Sequence, residues 1–291
     1  MKILKAFIYI IIVTSIIFSC APKEIQPPKK EAKVALVLGA GASKGFAHIG
    51  VIKVLEANNI PIHMIVGTSA GSLVGSLYAY GFNGFELQKL AIDIKKDDLI
   101  DLTLPENGFI KGEKLEKYVN WILRNTPIEK LKIPFYAVAT DIQTGKEVVF
   151  NSGNTGAAVR ASCSIPGIFV PPVFQGKMYV DGGVVSPVPV NAARRFGADI
   201  VIAVDISGET SSSNPSNTIE TILQSINIMY SKLSAIQLEK ADVVIKPNVG
   251  YIGSADFSKR HEAILEGEKA ARIAIPKILE IINKYKEIGR I

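Results

Sequence analysis

An α/β fold of three layers, a mainly parallel sheet with helices on both faces, is predicted by three observations. Short apolar runs alternate with segments of helical spacing through most of the 291 residues, the pattern of repeated strand–helix units. Runs such as Val34-Ala35-Leu36-Val37-Leu38 and Ile200-Val201-Ile202-Ala203-Val204 are apolar at every position, as strands buried on both faces are. A content of 48% hydrophobic and 21% charged residues describes a chain able to enclose a large core.

Taken in order, residues 33–38 read as the first strand and Gly39–Gly45 as a loop of small residues. Phe46–Asn58 sets Ile49, Ile52 and Leu55 on one helical face, and Pro61 closes it. Residues 63–66 form the second strand, and a small-residue helix follows the turn after it. Gly84–Leu131 is helical but more polar, broken at Leu104-Pro105-Glu106-Asn107-Gly108. Its apolar residues from Ile94 to Leu123 suit either the rim of a substrate opening or a peripheral helix pair packed on the sheet. Strands are predicted at 135–140, 147–150, 169–173, 178–180, 200–204 and 243–246. Helices are predicted at 155–162, 190–196, 218–240, 258–273 and 276–288, the last two separated at Pro276. No internal repeat and no second domain boundary interrupt this series.

The net charge of +6 is spread along the chain without a dense Lys/Arg block or interleaved aromatics, which argues against a nucleic-acid partner. Two cysteines, Cys20 and Cys163, form neither a disulfide framework nor a metal-ligand cluster, so no metal and no cofactor are expected. Lys2 and Lys5 precede the apolar stretch Ala6–Phe18, as in a signal peptide covering residues 1–19. Residues 20–32 are a polar tether containing Pro27-Pro28, and residues 33–291 make the folded domain. Ile17-Phe18-Ser19-Cys20-Ala21 resembles a bacterial lipobox. That resemblance implies lipid attachment at Cys20 and a domain held at a membrane of the bacterial cell envelope, outside the cytoplasm. An uncleaved anchor helix would leave the domain in the same place.

Chemistry concentrates in four stretches. Met64-Ile65-Val66-Gly67-Thr68-Ser69-Ala70-Gly71 runs strand, sharp turn, helix around a G-x-S-x-G pentad, the setting of a nucleophile elbow. Gly67 and Gly71 clear side chains where strand and helix backbones meet, and Ser69 takes the apex. Gly39-Ala40-Gly41-Ala42-Ser43-Lys44-Gly45 lets backbone N–H groups approach a ligand oxygen, as an oxyanion hole must. It is not a dinucleotide fingerprint, because Lys44 stands at the third glycine and no acidic residue follows at the required distance. Nor is it a P-loop. Asp181-Gly182-Gly183 puts an acidic residue at a strand end, and Ser162-Cys163-Ser164-Ile165-Pro166 ends a short helix.

In this order the four stretches resemble the patatin-like phospholipase family, and its bacterial branch in particular. Gly39–Gly45, Gly67–Gly71, Ser162–Pro166 and Asp181–Gly183 match its oxyanion loop, elbow, S-x-x-x-P segment and D-G-[GA] motif. The resemblance covers residues 34–205 and says little of the rest. Ala40 and Ala42 stand where many members have glycine, which strains the loop wherever φ must be positive. The resemblance implies a patatin-like fold and a serine lipid acyl hydrolase with Ser69 as nucleophile and Asp181 as its proton acceptor. Gly39, Gly41, Ala42, Lys44 and Gly45 would form the oxyanion loop, and Ser162, Pro166, Gly182 and Gly183 would support the site. The implied substrate is a membrane phospholipid or another acyl ester. Two alternatives stay open: a Ser–His–acid triad from Ser69, Asp181 or Asp205, and His261, and an inactive relative that binds lipid or a partner through the same cleft.

Overall fold

Strand β1 (Val34–Leu38) is buried at every residue, and its alternation divides the core. Val34, Leu36 and Leu38 join the larger apolar cluster, whereas Ala35 and Val37 join a second cluster on the other face. This is the computed structural model of the chain, and it describes residues 31–104, 107–207 and 215–291. The leader, Cys20, the tether up to residue 30, Pro105 and most of the Ser-rich loop after Ser207 lie outside the described residues.

After β1 the chain makes a 3-10 turn (Ala42–Gly45), α1 (Phe46–Ala57), β2 (Met64–Thr68) and α2 (Ala70–Tyr80). The polar stretch resolves into α3 (Gly84–Asp93), the single turn α4 (Lys96–Leu99) and α5 (Glu113–Ile122). Then come β3 (Phe135–Asp141), β4 (Lys146–Phe150), α6 (Thr155–Ser162), β5 (Val173–Phe174), β6 (Lys177–Asp181) and α7 (Val190–Arg195). The chain ends with β7 (Ile200–Val204), α8 (Thr218–Leu238), β8 (Val243–Ile245) and α9 (Arg260–Glu287).

The sheet runs β5-β6-β3-β2-β1-β7-β8, with β4 also paired to β3. The five strands β3, β2, β1, β7 and β8 are mutually parallel. Strands β4, β5 and β6 form an antiparallel flank. The larger cluster packs β1 against Ile52 and Leu55 of α1 and Ile278 of α9, and the other face packs against Val190 and Ala193 of α7. The three-layer α/β/α expectation is met.

One detail of the pairing positions the chemistry. Residues 139–141 of β3 pair with both β4 and β6, so these two strands lie on opposite edges of β3. Residues 137 and 138 pair with both β4 and β2, so β2 and β6 share the remaining edge. Along that edge β2 stops opposite Val138 and β6, running the other way, stops opposite Ala139. The C-terminal ends of β2 and β6 therefore meet head to head.

Three expectations are corrected. The two C-terminal helices are one, α9, with Pro276 inside it. An interior proline costs about 3 kcal/mol, but Ala271, Ile275, Ile278 and Ile282 bury on both sides of it and keep the helix continuous. Residues 169–172 are not a strand: Phe169 makes only a bridge to Ile110, and β5 is two residues long. The folded domain starts earlier than residue 33, since Ala32 is fully buried and donates its N–H to the Arg290 carbonyl at 2.6 Å.

Helices α1 and α9 touch backbone to backbone. A Cβ on Gly267 would stand 2.0 Å from the Ala47 carbonyl oxygen, and one on Gly50 would stand 1.9 Å from that of Ile264. Gly267→Ala must push the helices apart, so it is expected to lower unfolding stability by about 1–3 kcal/mol, measured by urea denaturation.

Candidate active site

Ser69 caps the end of β2 and the start of α2 with φ 54° and ψ −124°, a conformation that costs a non-glycine residue on the order of 1–3 kcal/mol. Close packing holds it there. A Cβ on Gly71 would lie 2.1 Å from the Leu38 carbonyl oxygen, and one on Gly67 would lie 2.5 Å from that of Gly71. The Ser69 N–H donates to Ser162 Oγ at 2.9 Å, and Ser162 Oγ donates onward to the Val138 carbonyl at 2.6 Å. Ser162 thus pins the elbow to β3. The same segment reaches the other strand end, because the Ser164 carbonyl accepts from the Asp181 N–H at 2.8 Å. Pro166 sits in the turn that follows.

Asp181 ends β6 and is fully buried. Its Oδ1 accepts from the Gly183 N–H at 2.7 Å, while Oδ2 has no hydrogen-bond partner among the described residues. Burial pushes the carboxyl up from its ordinary 3.8 to about 6, against the opposing pull of the Ser69 hydroxyl, the Gly183 amide and the Tyr230 hydroxyl. Neither hydroxyl closes a full hydrogen bond to Oδ2. Gly182 and Gly183 are required by contact: a Cβ would meet the Val138 carbonyl oxygen at 2.2 Å from the first and the Tyr230 ring at 2.3 Å from the second.

In the small-residue loop most amides are already used. Gly39 N–H donates to Val204 O at 3.0 Å, Ala40 to Pro187 O at 2.8 Å, Ser43 to Ser254 O at 3.2 Å and Lys44 to Gly41 O at 3.1 Å. Gly45 lies inside the 3-10 turn, where a Cβ would stand 2.6 Å from that of Ala70. Its place in the loop is therefore close approach to the elbow. Gly41 and Ala42 N–H have no acceptor among the described residues, which narrows the five-residue expectation to these two as free donors. Ala42 has φ 51°, so the strain expected of alanine in this loop falls there and not at Ala40.

Two basic side chains prop the loop from behind. Lys44 is buried, and its Nζ donates to Ser207 O at 3.2 Å. Burial lowers its pKa, opposed by the Asp205 carboxylate. His48 is fully buried with its pKa held down to about 4 by desolvation. The neutral ring donates from Nε2 to the Gly39 carbonyl at 2.8 Å. His261 is exposed in the first turn of α9 and is absent from the lining of the cavity at Ser69. The triad alternative therefore has no histidine at the serine.

Ser69 and Ala42 line a largely apolar cavity of about 220 Å³. Leu73 and Leu77 of α2, Leu87 of α3 and Tyr118 of α5 line it, with Ile110 and Phe169. Ile94, Leu99 and Ile100, from the segment expected to frame a substrate opening, also face it. Leu102 and Leu104 are largely exposed nearby in the sequence. Among the described residues there is no group of three potential metal ligands and no helix long and apolar enough to cross a membrane.

The sequence motifs leave out α8. Its Asn227 donates to Ser254 Oγ at 2.8 Å, and Ser254 in turn holds the oxyanion loop through Ser43. Gln237 donates to Val185 O at 3.0 Å and accepts from Val188 N–H at 3.1 Å, fixing the chain just after Asp181-Gly182-Gly183. Tyr230 lies between them. The available signal was a polar stripe at positions 227, 230, 234 and 237, the spacing of one helical face.

An acid beside an elbow serine, two free amides of the small-residue loop and an apolar cavity come together on a three-layer α/β scaffold. The sequence profile of the patatin-like phospholipases matches residues 36–194, from β1 to α7, and the chain belongs to that family. An uncharacterized NTE family protein of Mycobacterium tuberculosis is 38% identical over 182 residues, 60% of this chain and 49% of that protein. Lysophospholipase NTE1 of Scheffersomyces stipitis is 34% identical over 225 residues, 72% of this chain and 14% of its own length. Human patatin-like phospholipase domain-containing protein 6 is 33% identical over 185 residues, 60% of this chain and 13% of its own. The chain thus spans about half the length of the first relatives, or less. Among solved structures, VipD from Legionella pneumophila superposes with a TM-score of 0.61 at 13% identity, over 86% of this chain and 67% of that one. The fold is the patatin fold.

The buried carboxyl has a consequence for stability. Its folded pKa, about 6, exceeds the ordinary 3.8, so the folded state binds a proton more tightly than the unfolded state between these values. Stability is therefore lost as pH rises through that window and stays lower above it, by on the order of 3 kcal/mol. Asp181→Asn should be more stable than the wild type at pH 7, with the gap closing as pH falls from 6 to 4, read by urea denaturation across that range.

Proposed function

We propose that the protein is a lipid acyl hydrolase of phospholipase A or esterase type that works through a Ser69–Asp181 dyad. The observation that carries this reading is the unbonded Oδ2 of a fully buried Asp181, raised in pKa, beside the strained Ser69 that lines an apolar cavity. The ester's acyl chain enters the cavity and its carbonyl carbon meets Ser69 Oγ. As the C–O bond forms, the hydroxyl proton passes to Asp181. The carbonyl oxygen, now negative, takes the N–H groups of Gly41 and Ala42, which have no other acceptor. Collapse expels the alcohol, which leaves with the proton from Asp181, and an acyl-Ser69 ester remains. Water then attacks that ester, gives its proton to Asp181 and releases the carboxylic acid, and Ser69 recovers its proton.

A carboxylate of ordinary pKa is a poor base for a serine hydroxyl. Burial raises Asp181 toward a basicity suited to neutral pH, and the oxyanion donors stabilise the charge that forms. Ser69→Ala should therefore lower hydrolysis of a soluble short-chain ester by about 10³-fold or more and abolish labelling by a fluorophosphonate probe. In the wild type kcat/KM should fall about tenfold per pH unit below about 6, the pKa of Asp181. Activity that survives loss of the Ser69 hydroxyl would refute the dyad, and a wild type that neither hydrolyses the ester nor reacts with the probe would leave the inactive lipid-binding relative as the reading.

The same reading extends to the membrane. The lipobox-like Ile17-Phe18-Ser19-Cys20 supports acylation of Cys20 and a tethered enzyme in the bacterial cell envelope. Two or three acyl chains hold a protein firmly where one holds it marginally. A tether of about eleven residues reaches at most roughly 40 Å, so the cavity would meet lipid of its own membrane at high effective concentration. Metabolic labelling with a fatty acid should be lost in Cys20→Ser, and the variant should leave the membrane fraction or retain its leader. Undiminished labelling would refute the anchor while leaving the dyad untouched.

A further inference from the structure

We infer that Tyr230, on α8, is a positioning residue of the Ser69–Asp181 dyad, its hydroxyl orienting the Asp181 carboxylate for proton transfer from Ser69. The inference rests on the dyad reading and adds a residue from the part of the chain beyond the family profile, which ends at residue 194.

Four observations carry it. First, Tyr230 is almost fully buried, and its hydroxyl has no hydrogen-bond partner among the described residues. Buried tyrosine hydroxyls ordinarily find one. Second, the other unpaired oxygen here is Asp181 Oδ2, and the Tyr230 hydroxyl lies near enough to act on that carboxylate as a donor. Third, the ring cannot retreat. A Cβ on Gly183 would come within 2.3 Å of Tyr230 Cζ and 2.6 Å of Oη, and Ala40 and Ile226 pack on it from the oxyanion loop and from α8. Fourth, α8 is anchored on both sides of Tyr230, by Asn227 through Ser254 and by Gln237 through Val185 and Val188. The hydroxyl is a fixed donor on a fixed helix.

Its chemistry follows from the inventory of donors. Oδ1 is committed to the Gly183 N–H, and the hydroxyls of Ser69 and Tyr230 both face the carboxylate. Tyr230 can donate to it while Asp181 is ionised and releases no proton of its own, since burial and the neighbouring carboxylate push its pKa well up. It therefore favours the ionised, acceptor form of Asp181 and keeps burial from raising that group further. The other titratable group facing the pair is Cys163, at the end of α6, whose thiol burial also pushes up and which stays neutral. Asp205 acts on Lys44 and His48 behind the loop instead.

The test compares Tyr230→Phe with Asp181→Asn and Ile226→Val on the full chain and a soluble ester. Tyr230→Phe keeps the ring in its packing and removes the donor. We expect its acid limb of kcat/KM to move up by about one pH unit and kcat at the plateau to fall about tenfold, with KM within twofold. Ile226→Val, which thins the same packing, should leave the limb where it is. Should Tyr230→Phe fold poorly, 3-fluorotyrosine at position 230 keeps the ring and makes a stronger donor, so the limb should move to lower pH. A folded Tyr230→Phe enzyme, or the fluorinated one, with its acid limb unmoved overturns the inference. Full activity in Asp181→Asn would instead defeat the dyad reading itself, so the two failures are told apart.

Discussion

On one edge of β3, two strands running in opposite directions must stop within a residue of each other. β2 arrives with Thr68 opposite Val138, and β6 arrives with Asp181 opposite Ala139. Both chains then have to leave the sheet through the same small space. That is why the residues beyond each end are so restricted: Gly182 presses on the Val138 carbonyl and on Thr68, and Ser69 takes a positive φ to turn away. The backbone groups freed by the break are recaptured locally. Ser162 bridges Ser69 to Val138, Thr68 Oγ1 donates to Ser186 O at 2.8 Å, and Thr140 Oγ1 donates to the Asp181 carbonyl at 3.0 Å. Serine and aspartate meet because the sheet has no other way to end these strands.

The arrangement is energetically unfavourable by itself. Ser69 and Ala42 occupy left-handed backbone conformations, Asp181 is a desolvated acid, and the hydroxyls of Tyr230, Ser186 and Ser234 are buried without partners among the described residues. Each such feature costs on the order of 1–3 kcal/mol. The compensation lies in the two core clusters on either face of the central strands, and in the close contact of α1 with α9. Rigidity there lets a strained serine and a half-satisfied carboxylate persist, the usual relation between a stable scaffold and a preorganised site.

How much of this the sequence disclosed depended on whether the controlling physics was local. The buried strands, the elbow at Ser69 and the small-residue loop around Gly41 and Ala42 were legible, because chain-local patterns of apolar runs and small residues specify them, whereas Asp181 stood out from an ordinary Asp-Gly turn only through the family resemblance. Ser162 could be placed only through the family resemblance, for its partner Val138 is 24 residues away. Lys44 was ambiguous for the same reason: its burial follows from Ser207 and Asp205, far along the chain. Pro276 misled, since a local helix breaker was outweighed by packing that involves α1 and β8. The polar stripe on α8 marked a helical face but pointed to no site, because Asn227, Tyr230 and Gln237 gain meaning only from the loops they touch.

Those last residues give the C-terminal third a definite place in the framework of the candidate site. The segments holding Ser69, the Gly41 and Ala42 amides and Asp181 all lie between β1 and the turn after β6, yet none of the three is fixed by its neighbours in sequence alone. Ser43 of the oxyanion loop leans on Gly253 and Ser254, through Oγ to the Gly253 carbonyl at 2.7 Å and through its amide to Ser254. The chain leaving Asp181 leans on Gln237, and Gly183 leans on Tyr230. A helix that touches the supports of both the small-residue loop and Asp181 couples those two: displacing α8 would shift them together relative to Ser69, which is held separately by β2 and Ser162. The registry between these two groups of supports is therefore set jointly by motif residues such as Ser162 and Gly183 and by residues of α8 that lie outside the motifs.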